Sequence, residues 1–445
     1  MHLRTAPLAA ALGALVAVAA VAPLGAQQPT DSVSRARRDS IAAADSLRLV
    51  RELERLQNEP RAQPAAGQQP PTGTRASNPR LLPDISAVGD LVGDLSPDGS
   101  TQEDPNSRFT VREVEVALQA AVDPYFRGDV FLGISDGEGI SIEQAYLTTT
   151  ALPQQIELRL GRLLLPVGKI NVTHRHDLHT VEYPWVAQRF LGAEGLKGTG
   201  VTALRVFSPF GFFQEINLAA SDRFGEAEEG LRTEKPLNKR LSGLAYSARL
   251  RNYWDLSEAA NLEISGTAMT GLREQPITPL VADDPDEPIN AVGARQTLVG
   301  ADLTYRWRPL QQGLYKSFIL QAEVMRQANE RHPALPGGAS SAPTAYLGPA
   351  RDVTGAYAFA RWQTSQRSYL GARYDFVQSY DPDVDPDLQA ASAYVEFFPS
   401  EFSKLLVGYE RVLQGGIGSG LAANRVNRIL LQATFALGPH RPHPF

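Results

Sequence analysis

The chain has 445 residues, with 43 Lys+Arg against 49 Asp+Glu and a formal net charge of -6; the basic surplus of an electrostatic nucleic-acid binder is missing. Hydrophobic residues at 43% and charged residues at 21% exclude a wholly disordered chain. With no Cys, disulfides, thiolate zinc sites and cysteine nucleophiles are excluded as well.

His2 and Arg4 precede an apolar run from Leu8 to Val21 and the small residues Leu24-Gly25-Ala26. A charged start, a short apolar stretch and a cleavage site of this kind read as a secretory signal peptide over 1–26, because the run is too short for a spanning helix. Residues 31–58 favour a helix, with Ala42, Leu49, Leu53 and Leu56 on one seam. That seam suits a periplasmic helix that self-associates or one that is merely solvated. Residues 60–83 are rich in Pro and read as a linker, so 27–84 form an N-terminal periplasmic segment.

From residue 85 the texture changes to period-2 alternation, the mark of strands with two unlike faces. In 298–307, Val299, Ala301, Leu303, Tyr305 and Trp307 share one face, opposite Gly300, Asp302, Thr304 and Arg306. Sixteen such segments are expected: 85–95, 108–121, 125–134, 140–150, 156–165, 198–207, 212–221, 240–252, 259–269, 294–307, 316–326, 354–363, 367–378, 389–398, 402–413 and 424–437. A soluble sandwich would alternate in the same way, but it has no reason to place its long loops at one end. Here short connections (122–124, 151–155, 208–211, 364–366, 399–401) alternate with long ones (166–197, 222–239, 270–293, 327–353). Outer-membrane barrels have that rhythm and an even strand count. The reading is therefore all-β: a transmembrane antiparallel up-and-down β-barrel of about sixteen strands, spanning 85–438, with both ends periplasmic and 439–445 as a His-containing periplasmic tail.

The stretches GRLLLPVGKIN (161–171), HRHDLH (174–179) and RFLGAEGLKGTGV (189–201), with the closing GPHRPHPF (438–445), resemble porin-like outer-membrane proteins related to the phosphate-selective porins. They are most similar to a His-bearing subgroup described as zinc-regulated outer-membrane proteins. The resemblance covers the barrel. It implies a trimeric channel in the outer membrane of a Gram-negative-type cell, with lipid and lipopolysaccharide around it and no enzymatic chemistry. Small hydrophilic solutes or ions would diffuse through it passively. In general porins the third outside loop, here 166–197, folds inward and narrows the channel.

That loop carries Trp185, Arg189 and Phe190 on an expected short helix near 181–191, and it either constricts the lumen or packs on the rim. Strand phase directs nine arginines inward: Arg127, Arg159, Arg205, Arg249, Arg251, Arg306, Arg361, Arg373 and Arg428. It directs eleven acids there too: Glu113, Glu115, Asp129, Glu157, Glu215, Glu263, Asp302, Glu323, Asp375, Glu396 and Glu410. So balanced a lumen argues against strong anion selectivity, and the near absence of Lys departs from the phosphate-selective pattern. His174, His176 and His179, with Asp177 between them, could ligate Zn²⁺; the alternative is a rim of neutral histidines. A metal-linked uptake protein is accordingly the second functional reading. His440 and His443 belong at the opposite end of the barrel and suit a cap. The acids Asp283, Asp284, Asp286 and Glu287, and Asp381, Asp383, Asp385 and Asp387, read as a solvated rim, with cation binding as the rival.

Overall fold

The computed structural model describes residues 83–438 except 98, 100, 102–106, 136–138, 225–230, 234–236, 238, 277–288, 331–332, 335–345, 348–349, 380–385 and 415–425. The chain divides into two units, Met1–Arg75 and Ala76–Phe445, and every described residue belongs to the second. The expected signal peptide, the helical segment and linker as far as residue 82, the tail with His440 and His443, and the acidic clusters 283–287 and 381–385 lie outside the described residues.

Sixteen long strands form the wall: β1 (Asp84–Asp94), β2 (Phe109–Ala121), β3 (Phe126–Ser135), β4 (Gly139–Thr149), β5 (Ile156–Leu164), β6 (Lys197–Phe207), β7 (Phe213–Ser221) and β8 (Ala245–Ser257), then β9 (Ala260–Pro276), β10 (Ile289–Trp307), β11 (Phe318–Glu330), β12 (Arg351–Gln363), β13 (Ser368–Val377), β14 (Leu388–Ser400), β15 (Ser403–Gln414) and β16 (Val426–Leu437). Each pairs antiparallel with its neighbour in sequence, and β1 pairs with β16 from Ala87↔Leu437 to Asp94↔Leu430. The sheet is a closed cylinder, and Asp84 and Leu437 leave it at the same end, the one that carries the short turns. Closure is what satisfies the backbone: each of the sixteen wall strands has a partner on both sides, so the cylinder itself has no edge.

The alternation read from sequence is physical. Leu160, Val201, Leu218, Leu250, Val299, Leu370, Val395 and Val407 are exposed on the outer face, whereas Asp129, Glu263, Asp302, Glu323, Asp375 and Glu396 are buried inside. Trp307 stacks on Trp362 at 5.8 Å with Phe318 beside them, near the short-turn end of the outer face. Two differences from the expected elements are informative. β9 and β10 run on as a paired hairpin to Pro276↔Ala291, across residues expected to be loop. Their outer ends no longer alternate apolar with polar, so the pattern fades while backbone pairing continues. At the other end β8 continues to Ser257 and β9 starts at Ala260, which shortens the expected turn.

The closing seam depends on one glycine. Gly89 pairs with Phe435, and a Cβ at Gly89 would stand 2.5 Å from Cε1 and Cζ of the Phe435 ring, which lies across that position. Gly89→Leu is therefore expected to evict the ring and to cost about 1–3 kcal/mol, the usual price of overpacking. Urea unfolding of the refolded barrel measures this, and an unchanged midpoint would contradict it.

Candidate functional site

The connection between β5 and β6 lies inside the cylinder. Its two ends are tied together: Leu165 N–H donates to Leu196 O at 2.9 Å. Asn171 seals this neck, donating from Nδ2 to Leu165 O and Leu196 O and accepting from Leu196 N–H at Oδ1. Beyond the neck come two 3-10 turns, Ile170–Val172 and Arg175–Asp177, and the helix α1 (Trp185–Leu191), which begins after Pro184. The start expected at 181 is thus moved on by a residue that cannot extend a helix backwards.

An apolar cluster fixes the loop to the wall. Val167, Ile170, Trp185, Val186, Phe190 and Leu191 pack with Met269, Leu298, Met325, Val353, Tyr357, Phe359 and Val412 from the inner face. Polar tethers then reach around the cylinder. Lys169 Nζ donates to Glu263 at 3.1 Å, and the Lys169 and Ile170 amides donate to Glu323. Trp185 N–H donates to Asp375 at 3.0 Å, filling the first turn of α1. Arg373 reaches Thr180 Oγ1 and Glu182 O at 2.8 Å each, and Arg112 reaches Val181 O at 2.8 Å. Lys404 Nζ donates to His176 O and Leu178 O at 2.6 and 2.8 Å. Strands β2, β9, β11, β13 and β15 all hold this one segment.

The histidines separate. The His174 and His176 rings lie 5.5 Å apart and tilted, and with Glu115 they form a buried group whose donor atoms lie within 4.8 Å of one another. His179 is not part of it; its Nδ1 is paired with Glu396 at 3.2 Å. The three histidines are thus not brought together: His174 and His176 meet Glu115, while His179, beyond the 3-10 turn, lies against Glu396. Burial lowers the basicity of His174, but the Glu115 carboxylate more than reverses this and raises its pKa above the ordinary 6.5. For His179, burial and then Arg361 outweigh Glu396 and hold the pKa below 6.5.

Other expected residues also find their places. Trp185 and Phe190 are buried against the wall, so they anchor the loop and do not line an opening; an aromatic on a short helix inside a barrel buries more area against the wall than against water. Arg189 on the same helix is half-buried. Arg373 is a tether, bound to Asp375 and Glu410. Arg127, Arg159 and Arg306 face inward and pair with Asp129, Glu157 and Glu263. Arg205 is the correction. It is exposed, on the face opposite Thr202 and Leu204, which line an inner recess. Two residues from the end of β6, its long side chain can reach polar surroundings from the outer face.

A recess of about 1050 Å³ opens between the wall and the loop. Glu157, Arg159, Glu215, Asn217, Arg249 and Arg251 of β5–β8 form one side, and Leu164, Pro166, Val172 and His174 form the other. Arg159 is paired with Glu157 and Arg251 with Glu215 and Glu263, so its charges alternate in sign.

Glu182 gives the loop an acid limit. Burial pushes its carboxyl up, but Arg175, Arg112 and Arg428 outweigh this and hold it at about 2, against an ordinary 4.5. A folded value below the unfolded one means stability that is complete above 4.5 and lost as the pH falls toward about 2, roughly 3 kcal/mol in all. An acid titration followed by tryptophan fluorescence should show loop release in that window, and Glu182→Gln should make the transition less steep in pH.

No family model matches the chain. A curated protein of Aquifex aeolicus described as uncharacterized is 27% identical over 354 residues, 76% of this chain and 70% of that protein. Among solved structures, an anion-selective porin from Comamonas acidovorans is similar at 11% identity and a TM-score of 0.48, over 80% of this chain and 98% of that one. The outer membrane channel DcaP of Acinetobacter baumannii is similar at 12% identity and a TM-score of 0.48, over 80% and 96%.

Proposed function

We propose that the protein is a porin-like channel of the outer membrane, through which small hydrophilic solutes or ions diffuse passively. The observation that carries this reading is a closed sheet, apolar outside and charged inside, whose lumen is crossed by one firmly tethered loop. A sheet may lie in lipid only when closed, and the exposed leucines and valines of the outer face supply the apolar belt that lipid requires. The loop 166–197 then acts as the constriction. Solutes pass on the side where β5–β8 face the open recess, so Arg159, Glu157, Arg251 and Glu215 set the local field that a permeant meets. The short-turn end faces the periplasm, the assembly is a homotrimer, and the barrel performs no chemistry. Planar-bilayer recording of the purified protein tests this: steady, non-saturating conductance is expected, and absence of conductance would end the channel reading.

The second reading, a zinc-linked uptake protein, draws on the grouping of Glu115, His174 and His176 within the lumen. Zinc entry into proteoliposomes that is saturable, and faster than that of a solute of equal size, would favour it over simple diffusion.

A further inference from the structure

Two recesses flank the loop and share a partition. One is acidic, with Glu113, Glu143 and Glu194 around Lys197 and Arg175; the other is the recess along β5–β8. Gln144, Leu164 and His174 line both. At this partition the wall residue Glu115 meets His174 and His176 from the loop, all three buried. Asp177 Oδ2 stands 3.7 Å from His176 Nε2.

We propose that Glu115, His174 and His176 form a binding site for one divalent transition-metal ion, with Asp177 in reach as a fourth ligand, and that the ion staples the loop to β2 at the partition. Two imidazoles with carboxylates suit zinc-like ions, whereas calcium and magnesium call for all-oxygen ligands. Metal–ligand bonds of about 2.0–2.2 Å place donors roughly 3.4 Å apart in a tetrahedron. The widest donor pair, up to 4.8 Å apart, therefore needs to draw in by about an ångström, and His174 Nδ1 and Glu115 Oε2, now 2.7 Å apart, need to open by somewhat less. Here the ion is a resident staple and not cargo, so the site stands apart from the question of what crosses the barrel.

The hydrogen bonds show what binding must change. Leu164 N–H donates to Gln144 Oε1 at 3.1 Å, which turns the Gln144 amide nitrogen toward His174 Nε2 at 2.8 Å. Nε2 is then the acceptor, and the ring proton sits on Nδ1, donated to Glu115 Oε2 at 2.7 Å. A metal ion takes the place of that proton, which moves through solvent to the other ring nitrogen, so that no net proton is released. The neutral ring then carries its hydrogen on Nε2, and Gln144 must turn over and present its oxygen, which releases Leu164 N–H at the root of the loop. A carboxylate at position 144 meets both needs at once, one oxygen for each N–H.

Equilibrium dialysis of the refolded full chain in detergent against ZnCl₂ tests the site. One saturable equivalent is expected in the wild type. His176→Ala should weaken it at least about tenfold, and Gln144→Glu should tighten it about tenfold, the scale of outer-shell effects on metal affinity. His179→Ala and the double change His440→Ala/His443→Ala should leave it unaltered. Heat-modifiable gel mobility verifies that each variant folds, with His176→Gln as the substitute if His176→Ala does not. Co²⁺ loaded into the wild type should give the intense visible bands of a four-coordinate ion. No saturable zinc in the wild type, undiminished binding in both His176 variants, or loss in the His179 or tail variants would overturn the site. An unchanged Gln144→Glu affinity would overturn the turnover of Gln144. Bilayer conductance on the same preparation keeps the two readings apart, since a conducting barrel that binds no zinc removes only the metal site.

Discussion

Glu263→Gln is expected to lower the stability of the folded barrel by about 3–5 kcal/mol, the cost of stripping a buried charge from its partners. Glu263 is fully buried, and four cations converge on it: Lys169 at 3.1 Å, Arg251 at 3.0 Å, Arg306 at 3.4 Å and Arg249 at 3.8 Å. Arg249 retains Asp302 and Arg251 retains Glu215, so these two are only partly orphaned. Lys169 is worse placed. Burial lowers its ammonium, and Glu263 is the chief influence holding it as high as about 8. Without that carboxylate its proton is held less firmly, and the loop loses a tether. The urea midpoint of the refolded protein checks this. Adding Lys169→Met to Glu263→Gln should recover part of the stability, because the pair interact directly and their effects do not add. Full additivity would mean that the salt bridge contributes nothing.

The wall was legible in the sequence because a barrel strand has to alternate along its whole length in lipid, and a period of two survives one uncertain residue. All eleven acids directed inward by strand phase lie on the inner face or line its recesses, as do eight of the nine arginines. Local deviations from that phase were less visible. By simple counting Arg112 points outward, yet it binds Asp90 and Val181 O inside. It is the extra residue where the β1–β2 register slips, between Asp90↔Glu113 and Leu91↔Val111. A β-bulge of this kind reverses the phase of everything beyond it, and no residue type announces it. The loop was harder still. Its length and its breakers marked it out, but its tethers are contacts across long stretches of chain, such as Lys404 to His176 O, that no local spacing encodes. Glu115 belonged to the inward set without any sign that it meets a histidine. The scarcity of Lys did carry a signal that went unread: Lys169, Lys197 and Lys404 are all buried, two of them tethering the loop and the third beside its exit.

Gly168→Val is expected to unseat the root of the loop and to raise single-channel conductance severalfold while the cylinder stays closed. Gly168 has a φ of +70°, where a β-branched residue costs roughly 1–3 kcal/mol. Its Cβ position also overlaps Glu323 Oε1 and approaches Met325 Cε to 2.9 Å. Glu323 cannot simply withdraw, because its two oxygens accept the Lys169 and Ile170 amides at 2.9 and 3.3 Å, and Tyr357 Oη donates to it at 3.1 Å. Leaving such buried groups unpaired costs about 1–3 kcal/mol each, so strain and lost bonds together act on the root of the loop. The effect is directed at the loop. None of these groups takes part in the β1–β16 seam, and strand pairing on either side of Glu323 runs from Phe318 to Gln327 without a break. The urea midpoint should therefore fall far less than in Glu263→Gln, while trypsin gains access to Arg175 and Arg189. Glu323→Ala added to Gly168→Val removes the overlap and leaves the backbone strain, so the pair should be less than additive. A Gly168→Val channel with wild-type conductance and a protected loop would mean that the apolar cluster around Trp185 and Phe190 holds the segment without its root.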